Sequence, residues 1–285
     1  MRKLALKDSP SAAVNLEQPF TSEYRTMWFT FPRQPGFFVG EGLEAHGENV
    51  SLQFLNSVER SWVFLYERLE APTRERARYT EDDMEGLAKR LGHIAIKRED
   101  LKVRDVYPLM HHGGMTNLEE GILDHWYWGR IVLLGDAAHK VTPNIGQGLN
   151  TAIQDVVALV NELHGLVKPS DAKYYEDEKE STEPSLEQIT GAFERYQTYR
   201  KAEFAEDFRA SALQTRLSAW PDMKSWLLDY WIMWLMPAWL EALMVTWKVC
   251  TRICRGLVLN FVHGDEPFKG SWPWAHAIPS IKPPK

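Results

Sequence analysis

Polar and apolar positions alternate along the first part of the chain, and the period then lengthens. From Arg25 to Phe31, "RTMWFTF" reads as a strand. "NVSLQFLNSVERSWVFLYERL" predicts two more, in which Val50, Leu52 and Phe54 alternate, then Trp62, Phe64 and Tyr66, around a polar turn near Asn56 to Arg60. These alternations describe a sheet with one covered face. "YTEDDMEGLAKRL" switches to a helical period, with Thr80 as N-cap, acids in the first turn and an apolar stripe of Met84, Leu87 and Leu91. Ile131 to Leu134 is short, continuous and apolar, as a strand buried on both faces would be. A helix is expected from about Leu149, carrying Ala152, Ile153, Val156, Val160 and Leu163 inward. The stretch 169–185 is acidic, holds two prolines and reads as a surface loop. A long helix then starts near Leu186, with Ile189, Phe193 and Tyr196 on one side and Arg195, Arg200 and Lys201 on a solvated basic face.

The tail changes the picture. Six of the twelve tryptophans fall between Trp220 and Trp247, in "WPDMKSWLLDYWIMWLMPAWLEALMVTW". Asp229, Pro237 and Glu241 interrupt the run, so the uncharged stretch extends only from Tyr230 to Leu240. A transmembrane helix needs roughly 20 apolar residues, so a clean span is not expected. Trp-rich amphiphilic helices followed by the basic "KVCTRICR" suit a membrane interface over 220–255; they equally suit a helix pair packed on the core or on another protein surface.

Composition excludes some classes. A net charge of −6 argues against a nucleic-acid surface, which needs a concentrated basic face. The two cysteines, Cys250 and Cys254, are four apart with no partner pair elsewhere, so neither a disulfide framework nor a zinc site is expected. The start, "MRKLALKDSPSAAVN", has too short an apolar run for a signal peptide, and an intracellular, reducing location is expected. His111 and His112 have no acid at metal-ligand spacing and are expected at a strand end or the surface; no metal site is expected.

The densest chemistry lies in "GRIVLLGDAAHKVTPNIGQGLNTAIQDVVALVNEL", from Gly129 to Leu163. Gly135 permits a sharp turn at a strand's carboxyl end. Asp136 at that edge can accept hydrogen bonds from polyol hydroxyls. Pro143 stiffens the loop, while Gly146 and Gly148 let backbone N–H groups approach a flat ligand. The helix from Leu149 points unpaired N–H donors and a partial positive charge into the loop, which favours a ring that gains negative charge on reduction. This run closely resembles the second flavin-binding motif of the single-component, class A FAD-dependent monooxygenases of the aromatic-hydroxylase-like family. The matching residues are Gly135, Asp136, Ala137, Ala138, His139, Pro143, Gly146, Gln147, Gly148, Asn150 and Asp155. The stretches around it, from Thr21 to Gly165, are similar to the fungal branch that epoxidises prenyl chains of indole-diterpenes and meroterpenoids.

The resemblance implies a set of roles. Asp136 would contact the ribityl chain of FAD, and Gly146, Gln147, Gly148, Leu149 and Asn150 would face the pyrimidine end of its ring, beside Gly135 and Pro143. Arg25 would be the catalytic arginine of the substrate-domain sheet, His46 would stand near the place of a family tyrosine, and His139 would be a loop residue beside the flavin. NADPH or NADH would serve as reductant, and a flavin hydroperoxide would deliver oxygen, by epoxidation or hydroxylation, to a lipophilic terpenoid or aromatic substrate.

The family's opening Gly-x-Gly-x-x-Gly unit is not found: in "FFVGEGLEAHGENVSLQF", Gly40, Gly42 and Ala45 lead into a strand pattern rather than a helix. The chain is thus expected to begin within the substrate domain, without the AMP and pyrophosphate half of the FAD site. Its uncovered flavin layer implies an exposed apolar face and oligomerisation, and an N-terminal partner that completes the site is one of the readings left open. A flavin-free descendant working as a cyclase or isomerase, and a non-catalytic fragment or subunit, remain the alternatives. The expected fold is α+β, the C-terminal portion of an FAD/NAD(P)-binding monooxygenase fold. It comprises a mixed or antiparallel substrate-domain sheet with one helix (1–110), a partial α/β flavin layer (111–168), the acidic loop (169–185) and a helical, Trp-rich C-terminal region (186–285).

Overall fold

The computed structural model of this chain describes residues 1–97, 101–167, 183–233, 235–264 and 272–279. A short helix α1 (Arg2–Asp8) precedes four strands, β1 (Thr21–Pro32), β2 (Gly42–Gly47), β3 (Val50–Asn56) and β4 (Arg60–Thr73). Then come α2 (Glu81–Leu91), the small ribbon of β5 (Ala95–Lys97) and β6 (Leu101–Lys102), α3 (Val103–Val106) and β7 (His112–Ile122). A second ribbon joins β8 (Tyr127–Trp128) to β9 (Ile131–Val132), and β10 (His139–Lys140) follows. The rest is helical: α4 (Gly148–Val167), α5 (Leu186–Ser218), α6 (Met223–Leu227) and α7 (Ala238–Ile253).

Six strands form one antiparallel sheet in the order β10-β7-β1-β4-β3-β2. Strand β7 is part of it, so the expected boundary at 110/111 runs through the sheet instead of between layers. One face carries Met27, Phe29 and Phe31 of β1, Leu52 and Phe54 of β3, and Val63 and Leu65 of β4; α2 covers it with Met84, Leu87 and Leu91, and α3 with Val103 and Val106. Helix α2 starts as its sequence says, with a full capping box between Thr80 and Asp83. Burial of this apolar surface holds the first layer together.

The opposite face carries Tyr24, Thr26, Trp28 and Thr30 of β1, Ser51, Gln53 and Leu55 of β3, and Trp62, Phe64 and Tyr66 of β4. The expected alternation therefore needs correction on β4: Val63 and Leu65 enter the core, while Trp62 and Phe64 stay half-buried on the other face. Both parities of this strand are apolar, so alternation alone could not say which faces the helix.

A second core joins Trp126, Ala138, Ala158, Leu159, Phe193 and Tyr196, where α4 and α5 pack on the loop between them and the sheet. Helix α5 follows the expected stripe, with Ser185 and Gln188 in a capping box; Ser185 belongs to the described end of the expected acidic loop, whose residues 169–182 lie outside the described ones. Two expectations fail here. The Ile131 strand is two residues long, pairs only with Tyr127–Trp128, and leaves Ile131 exposed. A strand buried on both faces sits inside a larger covered sheet, and among the described residues β9 has only β8 beside it. Helix α4 turns Thr151, Asp155, Ala158 and Leu159 inward, whereas Ile153 and Val156 are exposed.

The Trp-rich segment forms α6, a π-helical turn over Leu228–Met233, and α7 starting after Pro237. No described helix is long and apolar enough to cross a membrane. Cys250 and Cys254 are free, and among the described residues no cluster of His, Cys, Asp and Glu could hold a metal.

Candidate functional site

The site is built where the chain leaves β9, turns, and climbs into α4. Gly135 takes a left-handed φ of 53°, and a Cβ there would lie 3.2 Å from Cβ of Ala152 on α4. Glycine is required twice over, by conformation and by contact. Asp136 follows, exposed, in a turn of 3₁₀ helix over Gly135–Ala137. It lines a polar cavity of about 470 Å³ together with Arg76, Thr116, Asn117 and Lys140.

The elbow is held from beneath by a buried ionic cluster. The carboxylate of Asp155 (0% exposed) accepts from the Gly135 N–H at 2.8 Å and from Nε2 of His139 at 2.6 Å on one oxygen. Its other oxygen accepts from Nε of Arg200 at 2.8 Å. An ionised carboxylate only accepts, so Nε2 of His139 carries the proton. Burial works against the Asp155 charge, but the hydrogen bonds from His139, Arg200 and Gly135 outweigh it and hold the acid below the ordinary aspartate range. Arg200, 5% exposed, also donates to the Thr151 carbonyl. The expectation of a solvated Arg200 is thus corrected: its partner lies on another helix. His139 is likewise a buried strut, on β10 paired with β7, with its ring in tilted contact with those of Trp126 and Phe204.

Beyond β10 the loop is fastened on two sides. Buried Thr142 hydrogen-bonds Ser211 (2.7 Å) and Thr215 (2.6 Å) of α5. Pro143–Ile145 form one 3₁₀ turn, closed by Gly146 at a left-handed φ of 65°. Asn144 accepts from Thr215 through its side chain at 2.9 Å and from Gln53 of β3 through its carbonyl at 2.9 Å. The loop is thereby pinned over the aromatic face of the sheet.

At the start of α4 the first-turn N–H groups of Gly148, Leu149 and Asn150 have no acceptor within the helix. Apart from the adjoining residues and the helix's own backbone, nothing lies within 4 Å of the Cβ position at Gly146 or Gly148, and Leu149 is 74% exposed. Open space beside two glycines, a positive helix end and an unencumbered carboxylate at Asp136 fit the ring and polyol parts of a flavin. The sequence-expected residues Gly135, Asp136, Pro143, Gly146, Gln147, Gly148, Leu149 and Asn150 are all on this one loop and helix start.

Arg25 is not among them. It is directly opposite Glu67 on β4 and shares the α2 face with Met27, whereas the Gln53 contact to the loop is on the other face. Its guanidinium pairs with Glu67 at 2.5 Å, and Glu67 also holds Arg90 of α2. Arg25 thus ties the sheet to α2 through Glu67, and on its other side it pairs with Asn117 of β7, which lines the cavity beside Asp136.

His46 occupies a different cluster. Its Nδ1 lies 2.7 Å from Asp229 and its Nε2 3.2 Å from Glu44, so both ring nitrogens face carboxylates. Burial disfavours its charge, but the hydrogen bonds to Glu44 and Asp229 outweigh that and push its pKa up. Trp220 also donates to Asp229, at 2.7 Å, which anchors the head of the Trp-rich segment on β2. His111 and His112 stand exposed at the start of β7.

Comparison with known proteins agrees with this geometry. Residues 12–183 match the family described as "FAD binding domain". The FAD-dependent monooxygenase SAT1 of Stachybotrys chartarum is 35% identical over 239 residues, covering 82% of this chain and 75% of its own length. The FAD-dependent monooxygenase penE of Penicillium thymicola is 28% identical over 276 residues, which is 95% of this chain and 55% of penE. Against ausM of Penicillium brasilianum the match is 34% identical and spans 36% of that protein, so the chain covers about half or less of several curated relatives. Among solved structures, an HpxO variant from Klebsiella pneumoniae complexed with FAD superposes with a TM-score of 0.53 at 17% identity, over 81% of this chain and 53% of that one. The OxyS anhydrotetracycline hydroxylase from Streptomyces rimosus gives 0.52 at 17%, over 81% of this chain and 40% of that one. At such identities these two speak for the fold alone. The chain belongs to the FAD-binding-domain family of FAD-dependent monooxygenases, flavoprotein oxidoreductases whose cofactor is FAD.

Proposed function

We propose that this chain supplies the ring-facing side of a flavin monooxygenase that puts one oxygen atom into a lipophilic terpenoid or aromatic substrate. One observation carries the reading: the Pro143–Gly146 turn is pinned over a sheet face bearing Trp28, Leu55, Trp62 and Phe64, all half-buried or exposed. A ring lodged against the loop would look onto an apolar platform. Bound FAD, reduced by NADPH or NADH, supplies the activation of molecular oxygen.

The chain's own residues do the rest. Asp136 accepts hydrogen bonds from the polyol, and the Gly148–Asn150 amides with the α4 dipole favour negative charge on the ring. The aromatic face takes up apolar substrate and excludes water. The visible spectrum of the desalted protein, with and without added FAD, tests this. A flavin band that persists after desalting, or saturable quenching of added FAD, is expected. A colourless protein that titrates no FAD refutes the reading and favours the flavin-free alternative or completion of the site by a partner chain.

A second reading has its own observation. Trp226, Trp231, Trp239, Leu243 and Trp247 are exposed, with Lys248, Arg252 and Arg255 close behind in sequence. This supports association of the 220–255 segment with an anionic membrane surface, from which lipophilic substrate would be drawn. A blue shift of tryptophan emission on adding anionic vesicles is expected, and unchanged emission removes the idea.

A further inference from the structure

We propose that Gln53 is a positioning residue for the flavin loop, its side-chain amide fixed by Tyr66 and Glu44 so that it grips the Asn144 carbonyl. The inference rests on the FAD reading above and deepens it. Every hydrogen-bonding position of the Gln53 amide that these contacts define is used. The nitrogen donates to Oε1 of Glu44 at 2.7 Å and to the Asn144 carbonyl at 2.9 Å, and the oxygen accepts from the Tyr66 hydroxyl at 2.8 Å. A flipped amide would set its oxygen against a carboxylate and a carbonyl, two groups that only accept, so one orientation is enforced.

The two orienting groups are themselves held in the required protonation states. Burial, reinforced by the Glu44 charge, pushes the Tyr66 hydroxyl far up, so it stays a donor at any working pH. The hydrogen bond from His46 holds Glu44 below the usual glutamate range, against an opposing effect of burial, and Gln53 adds to the lowering. Behind His46 stands Asp229, which also takes the Trp220 N–H. A chain of hydrogen bonds therefore runs from the head of the Trp-rich segment through Asp229, His46, Glu44 and Gln53 to Asn144. Two residues on from Asn144 is Gly146, whose left-handed turn leads to the N-terminus of α4. On its other flank Asn144 is held by Thr215. Among the described residues Gln53 makes the sheet's hydrogen bond to this turn, which makes it the lever that sets the height of the loop over the aromatic face.

The test uses the full chain and three forms: parent, Gln53→Leu and Gln53→Glu. FAD affinity is read by flavin fluorescence between pH 5 and 8, and amide exchange of Gly146, which bonds the Pro143 carbonyl, is read without flavin. Gln53→Leu is expected to weaken FAD about three- to tenfold relative to the parent at every pH, the equivalent of one lost hydrogen bond to the loop. Gln53→Glu is nearly isosteric and puts an acid among Glu44, Tyr66 and the Asn144 carbonyl, with His46 and Asp229 behind. It should bind weakly at pH 8, where two carboxylates face each other, and recover part of the way near pH 5, where one proton serves either the Glu44 carboxylate or the Asn144 carbonyl but not both. Such recovery would not arise from a merely structural role. Parent-like FAD binding and unchanged Gly146 exchange in Gln53→Leu would overturn the proposal. If the parent binds no FAD, the FAD reading fails, and exchange decides this one alone: faster exchange in Gln53→Leu supports the grip, and equal exchange overturns it.

Discussion

Removing the carboxylate of Asp155 should be among the most damaging single changes in the chain. In Asp155→Ala, three donors lose their acceptor at once: the Arg200 guanidinium, Nε2–H of His139 and the Gly135 N–H. Arg200 and His139 are both almost fully buried, so water cannot replace what is lost. Breaking a buried pair by deleting one partner costs about 3–5 kcal/mol, against a whole-domain stability of about 5–15 kcal/mol. For a chain of this size, with each kcal/mol shifting the midpoint by about 2–4 °C, the melting temperature should drop by at least about 6 °C. The cost should not add to that of Arg200→Ala. With the carboxylate gone, removing the stranded guanidinium relieves part of the penalty, so the double variant should be more stable than the two losses summed. Circular dichroism melts of parent, both singles and the double variant give the coupling. Because the Asp155 pKa is depressed in the folded state, its contribution is complete above the ordinary aspartate pKa of about 4 and fades as pH falls below that value. The parent should therefore lose its advantage over Asp155→Ala on acidification from about pH 4 downward. A loss under about 1 kcal/mol at neutral pH, or strict additivity with Arg200→Ala, would refute the view that this cluster holds the elbow.

Other consequences can be checked with similar means. Asp136→Ala should lower FAD affinity about tenfold while leaving the melting temperature within a degree or two, since the residue is exposed; equal affinity by equilibrium dialysis would make the elbow purely structural. The His46 pKa is raised, so its ties to Asp229 and Glu44 are complete below its unfolded value of about 6.5 and are lost as pH climbs through the higher folded value. Trp220 emission should then shift on alkalinisation above neutrality in the parent but not in His46→Gln; identical titrations would count against the tie. Gly135→Ala should destabilise by about 1–3 kcal/mol in chemical denaturation, from its left-handed φ and the tight approach to Ala152, and a neutral result would mean that the elbow relaxes freely.

Much of the local structure was legible in the sequence, because it is written in local chemistry. Thr80 with Asp83 three residues on marks the start of α2, and the stripe from Ile189 to Tyr196 marks α5. The cofactor loop was legible for another reason: Gly135 through Asn150 lie in one short run, so their spacing could be read without knowing the neighbours that hold Gly135, His139 and Asn144. What sequence concealed is long-range. Nothing near Arg200 announces Asp155, which lies on a different helix beyond an acidic stretch. That buried cluster also explains the misjudged face of α4: satisfying Asp155 turns Thr151 and Asp155 inward and leaves Ile153 and Val156 outside. The ties of Arg25 to Glu67 and, through it, to Arg90 were equally hidden, since strand parity on a sheet apolar on both faces leaves no trace in composition. Gln53 gave no signal at all, since one glutamine in a strand looks like any solvent-facing residue.

The order of the strands also sets how the chain must fold in time. Strand β1 lies between β4 and β7, pairing Trp28 with Phe64 on one side and Thr21 with Glu120 on the other. The meander of β2, β3 and β4 closes through short turns and can collect β1 early, but the second edge of β1 stays open until the chain through Glu120 has been made and has returned. That late, non-local closure places the sheet among slowly formed topologies and leaves an unpaired edge beside Met27 and Phe29 meanwhile. On a ribosome, the interval between synthesis of Pro32 and of Ile122 is when this chain is most exposed to mispairing with a neighbour.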